Sequence, residues 1–202
     1  MLVKICGIQS PAHALAAVEA GVDLLGFVFA PSKRQVTAAQ AQAIITTLPN
    51  TVKTVGVFVN ETPERMQEIA EIAGLDYIQL HGDEDAAVAE ALPYPIIKAF
   101  PVTKETLQII QDFPADYYIL DSPIGNNRGG NGTAFDWDLA KDLPIDRQKI
   151  VLAGGLIPEN VQEAIDRLSP VGVDVSSGVE TAGKKDPDKI RQFIHQAKTY
   201  TK

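Results

Sequence analysis

The chain opens MLVKICGI, and Cys6 in that run is the only cysteine among 202 residues. Two readings of it compete. Free cysteine is among the most buried residue types and commonly acts as a small hydrophobe. As a thiolate it is also a nucleophile and a base. Asp121 closes a second apolar run, YYILD. A carboxyl group at the mouth of such a run can hold a proton for a substrate, or can merely cap a turn. Two glycine-bearing stretches, AGGLIPENV and DVSSGVE, follow apolar runs later in the chain. Backbone N–H groups at glycine turns and at the start of a short helix bind phosphate without a cation. Gly154 and Gly155 in the first stretch, and Ser176, Ser177 and Gly178 in the second, are therefore candidate phosphate ligands. Neither stretch fits a Walker loop or a dinucleotide fingerprint, so a nucleotide is not indicated.

Further polar residues sit at the ends of apolar runs. Arg34 in PSKRQV carries a planar fork that matches a carboxylate bidentately, against the plainer alternative of a solvated cation. The period of two puts Gln79 with His81, Lys4 with Cys6, and Asp174 with Ser176, each pair on one strand face. Lys4 and Asp174 face each other if the first and last strands are neighbours, either as an interior ion pair or as a device that places the site's charges. With three histidines and no carboxylate–histidine spacing of a metal site, no metal is expected.

The elements that must position these groups alternate. Short apolar runs rich in β-branched residues occupy 2–8, 24–30, 54–59, 77–82, 96–102, 117–122, 150–156 and 171–179. Several are nearly continuous in apolar residues, as in parallel strands buried on both faces. Between them, Ala41/Ile44/Ile45/Leu48, Met66/Ile69/Ala70/Ala73, Val161/Ala164/Ile165/Leu168 and Ile190/Phe193/Ile194/Ala197 each form one helical stripe. Ser10-Pro11, Thr62-Pro63 and Asp186-Pro187 each set a capping side chain before a proline at the first helical position. Stretches 12–20, 84–92 and 103–113 read as helices, and 136–142 as a short one. An open doubly wound sheet is one solution. Eight βα units over this length favour a closed (β/α)₈ TIM barrel of parallel strands, one domain spanning 1–202, with its chemistry at the C-terminal strand ends. The segment 122–133, SPIGNNRGGNGT, reads as a flexible active-site loop.

Apolar residues make up 45% and charged residues 22%, the proportions of a soluble globular protein. A net charge of −8 argues against nucleic acid or an anionic membrane as partner, yet leaves room for a locally positive site. One cysteine rules out an internal disulfide and suits a reducing compartment. No signal-peptide pattern or membrane-length apolar run is present, so a cytoplasmic protein is expected, monomeric or homodimeric.

The blocks KICGI, GFVFAPSKR, VGVFVNE, IQLHGDE, a strand ending in LD before a GG-N-G loop with FDW, GGLIPENV and VDVSSGVE follow one another across nearly the whole chain. In this the sequence resembles the phosphoribosylanthranilate isomerase family of tryptophan biosynthesis. The loop at 122–134 matches more loosely. The resemblance implies a cofactor-free Amadori rearrangement of a small phosphosugar–anthranilate substrate, N-(5-phosphoribosyl)anthranilate. The product is 1-(2-carboxyphenylamino)-1-deoxyribulose 5-phosphate. Carried over by motif, Cys6 is the general base, Asp121 the general acid, and Arg34 the holder of the anthranilate carboxylate. The glycine ends at 154–155 and 176–178 take the phosphate, and Gln79, His81 and Asp174 complete the expected substrate-binding set. Lys4, two residues before Cys6 on the same face, is the first candidate for making the thiol a thiolate. Three alternatives stand beside this: a metal-dependent phosphosugar epimerase, an indole-ring-forming synthase in which Lys98 would be catalytic, and a non-catalytic phosphate-binding protein.

Overall fold

The computed structural model describes residues 1–103, 106–122, 137–140, 143 and 145–199. Eight strands pair in parallel in chain order. They are β1 (Leu2–Cys6), β2 (Leu24–Val28), β3 (Lys53–Phe58), β4 (Tyr77–Leu80), β5 (Ile96–Pro101), β6 (Tyr117–Asp121), β7 (Ile150–Leu152) and β8 (Gly172–Val175). β8 returns to β1 and closes the barrel, with Lys4 in register opposite Asp174. The closed form, rather than the open sheet, is the one observed.

The near-continuous apolar runs follow from burial on both faces. Val3, Ile5, Leu25, Phe27, Ile78, Leu80 and Phe100 face outward under the helices. Leu24, Val55, Ile97, Ala99, Ile119 and Val151 fill the barrel interior. Fully burying one such side chain is worth about 1.5–3 kcal/mol.

The helices are α1 (Pro11–Glu19), α2 (Ala38–Ile45), α3 (Pro63–Ala73), α4 (Ala86–Glu90), α5 (Thr106–Ile109), α6 (Val161–Leu168) and α7 (Pro187–Lys198). The three expected caps are made: Ser10, Thr62 and Asp186 accept from backbone N–H groups of His13, Arg65, and both Asp188 and Lys189. The stripes of α3, α6 and α7 are buried throughout. Two helices are shorter than the sequence pattern suggests. α4 starts only after Asp85, whose carboxylate caps it at Val88 N. α5 gives way to a 3-10 turn at Ile110–Asp112. Within 136–142, a 3-10 helix covers Trp137–Ala140. Of the expected loop at 122–133, residues 123–133 lie outside the described residues.

One motif recurs at the N-terminal ends of the strands. Asp23, Asp76 and Asp116 stand just before β2, β4 and β6, and accept from Val3 N (2.8 Å), Thr54 N (2.9 Å) and Ile96 N (2.8 Å). Each carboxylate satisfies a backbone donor near the start of the preceding strand, a group that is costly to bury unpaired.

The last strand run departs from expectation. β8 stops at Val175, and a 3-10 helix (Ser177–Val179) follows. A hairpin of β9 (Glu180–Thr181) and β10 (Lys184–Lys185) comes next. Its turn residues, Ala182 and Gly183, have φ of 51° and 77°. Paired positive φ values match the right-handed twist of a tight hairpin.

Candidate active site

A cavity of about 690 Å³ opens at the C-terminal ends of the strands. Cys6, Arg34, His81 and Asp121 line it, together with Gly154, Gly155 and Asp174. Ser176, Ser177 and Gly178 form another part of its wall. Gln79 does not reach it. Its side chain is wholly buried below His81 on the same strand face, so it cannot touch a ligand in the cavity.

Cys6 lies on the inner face of β1, almost fully buried. Gly26, opposite it on β2, leaves the room: a Cβ there would meet Cys6 Sγ at 3.0 Å and Lys4 Nζ at 3.1 Å. Lys4 reaches Asp174 across the barrel seam at 3.0 Å, as the strand faces required. Burial pulls the Lys4 ammonium down, but Asp174 and Cys6 outweigh it and hold its pKa above the ordinary value. Burial pushes the Cys6 thiol up, Asp174 adds to it, and the pull of Lys4 and Lys185 does not offset them. Lys4 does pull the thiol toward the thiolate, as expected, but burial outweighs that pull and the net shift is upward.

Arg34 reaches the cavity, but its Nε–Nη2 edge grips Glu180 at 2.6 and 2.9 Å. Lys185 Nζ lies 2.8 Å from the same carboxylate, and Lys33 Nζ 3.6 Å. Three cations thus surround one anion, giving a positive wall in a protein of net charge −8. Lys185 is buried and donates to Ser176 O (2.8 Å), while Ser176 Oγ donates to Cys6 O (3.1 Å). Burial holds the Lys185 pKa below the ordinary lysine value. Burial pushes Glu180 up, yet Arg34 and Lys185 bring it from 4.5 down to about 2. A carboxylate depressed on folding stabilises the native state above its unfolded value. That contribution is full above pH 4.5 and fades as pH falls toward 2. Urea unfolding measured across this range should show Glu180→Gln losing less stability on acidification than the parent chain; parallel curves would remove Glu180 from acid stability.

His81 Nε2 lies 3.5 Å from Asp121 Oδ2, and the other oxygen, Oδ1, accepts from Ser122 N at 2.7 Å. On the far side of the ring, Gln79 Nε2 approaches His81 Nδ1 at 2.9 Å. The cavity therefore holds a buried thiol on β1 and a half-buried carboxyl on β6, with an imidazole 3.5 Å from one carboxyl oxygen and a backbone N–H bonded to the other.

Gly154 and Gly155, at φ of 75° and 66°, form the turn after β7. A Cβ on Gly154 would press on Ser122 N at 2.5 Å and crowd Asp121 Oδ1 at 3.1 Å. Asn160 pins this turn, donating to Gly155 O (3.0 Å) and accepting from Ile157 N (2.9 Å). Gly178 lets the loop after β8 lie directly against the Leu156 carbonyl, where any side chain would collide. Among the described residues, none accepts from the backbone N–H of Gly155, Ser177 or Gly178.

Glu180, Lys185 and Asn160 escaped the sequence reading. Asn160 stood in the quoted GGLIPENV block, four residues before the stripe residue Ala164, where an Asx turn was available to be read. Glu180 and Lys185 arrive on a hairpin whose only signal was Ala-Gly between short polar pairs. Lys98, the residue a ring-forming synthase would need, points to the outer face. There it pairs with buried Glu84 at 2.9 Å and lies over the rings of Phe100 and Phe113. Among the described residues, no group of three or more His, Cys, Asp and Glu side chains could hold a metal ion. No helix among them is long and apolar enough to cross a membrane.

Known proteins match this arrangement along its whole length. The family model described as "N-(5'phosphoribosyl)anthranilate (PRA) isomerase" matches residues 3–196. An N-(5'-phosphoribosyl)anthranilate isomerase from Oceanobacillus iheyensis is 53% identical over 195 residues, covering 96% of this chain and 95% of that one. The crystal structure of phosphoribosyl anthranilate isomerase from Thermus thermophilus superposes with a TM-score of 0.89 at 40% identity, covering 97% and 98% of the two chains. A further phosphoribosyl anthranilate isomerase structure holds reduced 1-(o-carboxyphenylamino)-1-deoxyribulose 5-phosphate. It superposes with a TM-score of 0.84 at 41% identity, covering 99% of this chain and 100% of that one. A closed parallel barrel with a thiol, a carboxyl and two glycine loops around one cavity, matched end to end at this identity, places the chain in the N-(5'-phosphoribosyl)anthranilate isomerase family.

Proposed function

We propose that the chain converts N-(5'-phosphoribosyl)anthranilate to 1-(2-carboxyphenylamino)-1-deoxyribulose 5-phosphate with Asp121 as general acid and Cys6 as general base. The observation that carries this is the placement of Cys6, Asp121 and both glycine loops around one cavity. Asp121 gives its proton to the ribose ring oxygen as the C1–O bond breaks, and the anilino nitrogen's lone pair forms the iminium. The iminium acidifies the proton on C2. Cys6 as thiolate removes it, the C2–H electrons become the C1–C2 double bond, and the iminium is neutralised to an enolamine that tautomerises to the ketose. Positive charge two bonds from the proton being removed also favours the thiolate, and burial of Cys6 makes that charge count for more.

The substrate carries two anionic ends, and the site has two places for them. The backbone N–H groups after β7 and β8 suit the phosphate. The edge of Arg34 that Glu180 leaves unused suits the anthranilate carboxylate. Asp174 lies with the Lys4 pair at the cavity's base, a fit for sugar hydroxyls. Incubating the purified chain with freshly made substrate should give a steady loss of anthranilate-type fluorescence with no added metal or cofactor. Tight binding of the substrate with no loss of fluorescence would leave a phosphate-binding protein instead.

A further inference from the structure

Gln79 occupies a place the reaction scheme leaves unexplained. It is a fully buried amide on the inner face of β4, outside the cavity wall. Its Nε2 faces His81 Nδ1 at 2.9 Å, while its Oε1 meets no partner among the described residues. Buried amide groups are normally paired, so an arrangement that leaves an oxygen alone needs a reason. The reason lies on the far side of the ring, where His81 Nε2 stands 3.5 Å from Asp121 Oδ2.

A neutral imidazole has one donor nitrogen and one acceptor nitrogen. With the amide nitrogen donating to Nδ1, that nitrogen must be the acceptor, and the ring proton sits on Nε2. Nε2–H then points at Asp121. The opposite amide orientation would require a proton on Nδ1. Either the Nε2 lone pair would then accept the Asp121 proton and tie it to the ring, away from the substrate, or His81 would be an imidazolium. We infer that Gln79 is a positioning residue that holds His81 as the neutral Nε2–H tautomer, so that the proton available for transfer belongs to Asp121. In this form the N–H edge of His81 faces Oδ2 at 3.5 Å, while Ser122 N–H holds Oδ1 at 2.7 Å. An imidazolium beside Asp121 would instead keep the carboxyl ionised and without a proton to give.

The inference rests on the role of Asp121 proposed above, and its test separates the two. Nitrogen-15 NMR of histidine-labelled protein, with the His81 signals assigned through His81→Asn, should show Nε2 protonated and Nδ1 bare in the parent chain at neutral pH. Gln79→Glu offers Nδ1 only an acceptor. It should turn His81 doubly protonated and lower kcat by about 10²-fold, the scale of a general acid's contribution, with little change in KM. A proton on Nδ1 in the parent chain overturns the inference and needs no variant to be seen. So does a Gln79→Glu protein that keeps the Nε2–H tautomer, or one that keeps its kcat. Should Asp121→Asn retain turnover while His81 shows the expected tautomer, the acid assignment fails and the positioning of His81 stands.

Discussion

Cys6→Ser should lower turnover of the aminoribose phosphate by about 10³-fold, within the range set by loss of a general base. The exchange replaces one atom, in a space bounded by Gly26 and Lys4, so the barrel should form as before. The hydroxyl is a far weaker acid than the thiol and offers no usable anion near neutral pH. Thermal melting alongside the fluorescence assay separates loss of fold from loss of chemistry, and near-normal turnover in the variant removes Cys6 from the mechanism. The parent chain gives a second measure. Because burial holds the thiol above its ordinary pKa, the thiolate fraction of the free protein is still rising past the usual thiol range. The quantity kcat/KM should therefore keep climbing on the alkaline side, and this limb should vanish in Cys6→Ser.

Asp121→Asn should cost a comparable factor of about 10³ in kcat. The carboxamide has the carboxyl's shape and can still accept from Ser122 N, so the loop after β6 keeps its anchor. What it lacks is a proton of useful acidity for the ring oxygen. Ring opening precedes every later step, so the variant should bind product normally and accumulate no enolamine. Equilibrium titration with a reduced product analogue, read beside turnover, checks both halves. Full activity would end the acid assignment.

Much of this was legible before the fold was seen. The alternation of apolar runs and helical stripes is forced by burial on both strand faces, so it survives in composition alone. The capping pairs Ser10-Pro11, Thr62-Pro63 and Asp186-Pro187 were legible because the first helical turn has donors only a short polar side chain can reach. The Lys4–Asp174 pair followed from strand period and barrel closure. Three things were not legible. The upward shift of the Cys6 thiol comes first from its burial, set against the pull of Lys4 and Lys185, and depth of burial is not written in residue spacing. The engagement of Arg34 by Glu180 depends on a hairpin of two-residue strands, too short for any periodicity to register. Gln79 carries the right spacing for the site face, but only depth distinguishes a residue in the cavity wall from one beneath it.

The seam between β1 and β8 has a bearing on how the protein comes to be made. Lys4 and Cys6 are made long before their partners: Asp174 follows Lys4, and Ser176 follows Cys6, by 170 positions. Lys185 and Glu180 come later still. Until those later residues are synthesised, the Lys4 ammonium lacks the Asp174 counter-charge and the thiol lacks the wall that Ser176 provides. The site's charges are thus complete only once β8 and the hairpin after it have been made.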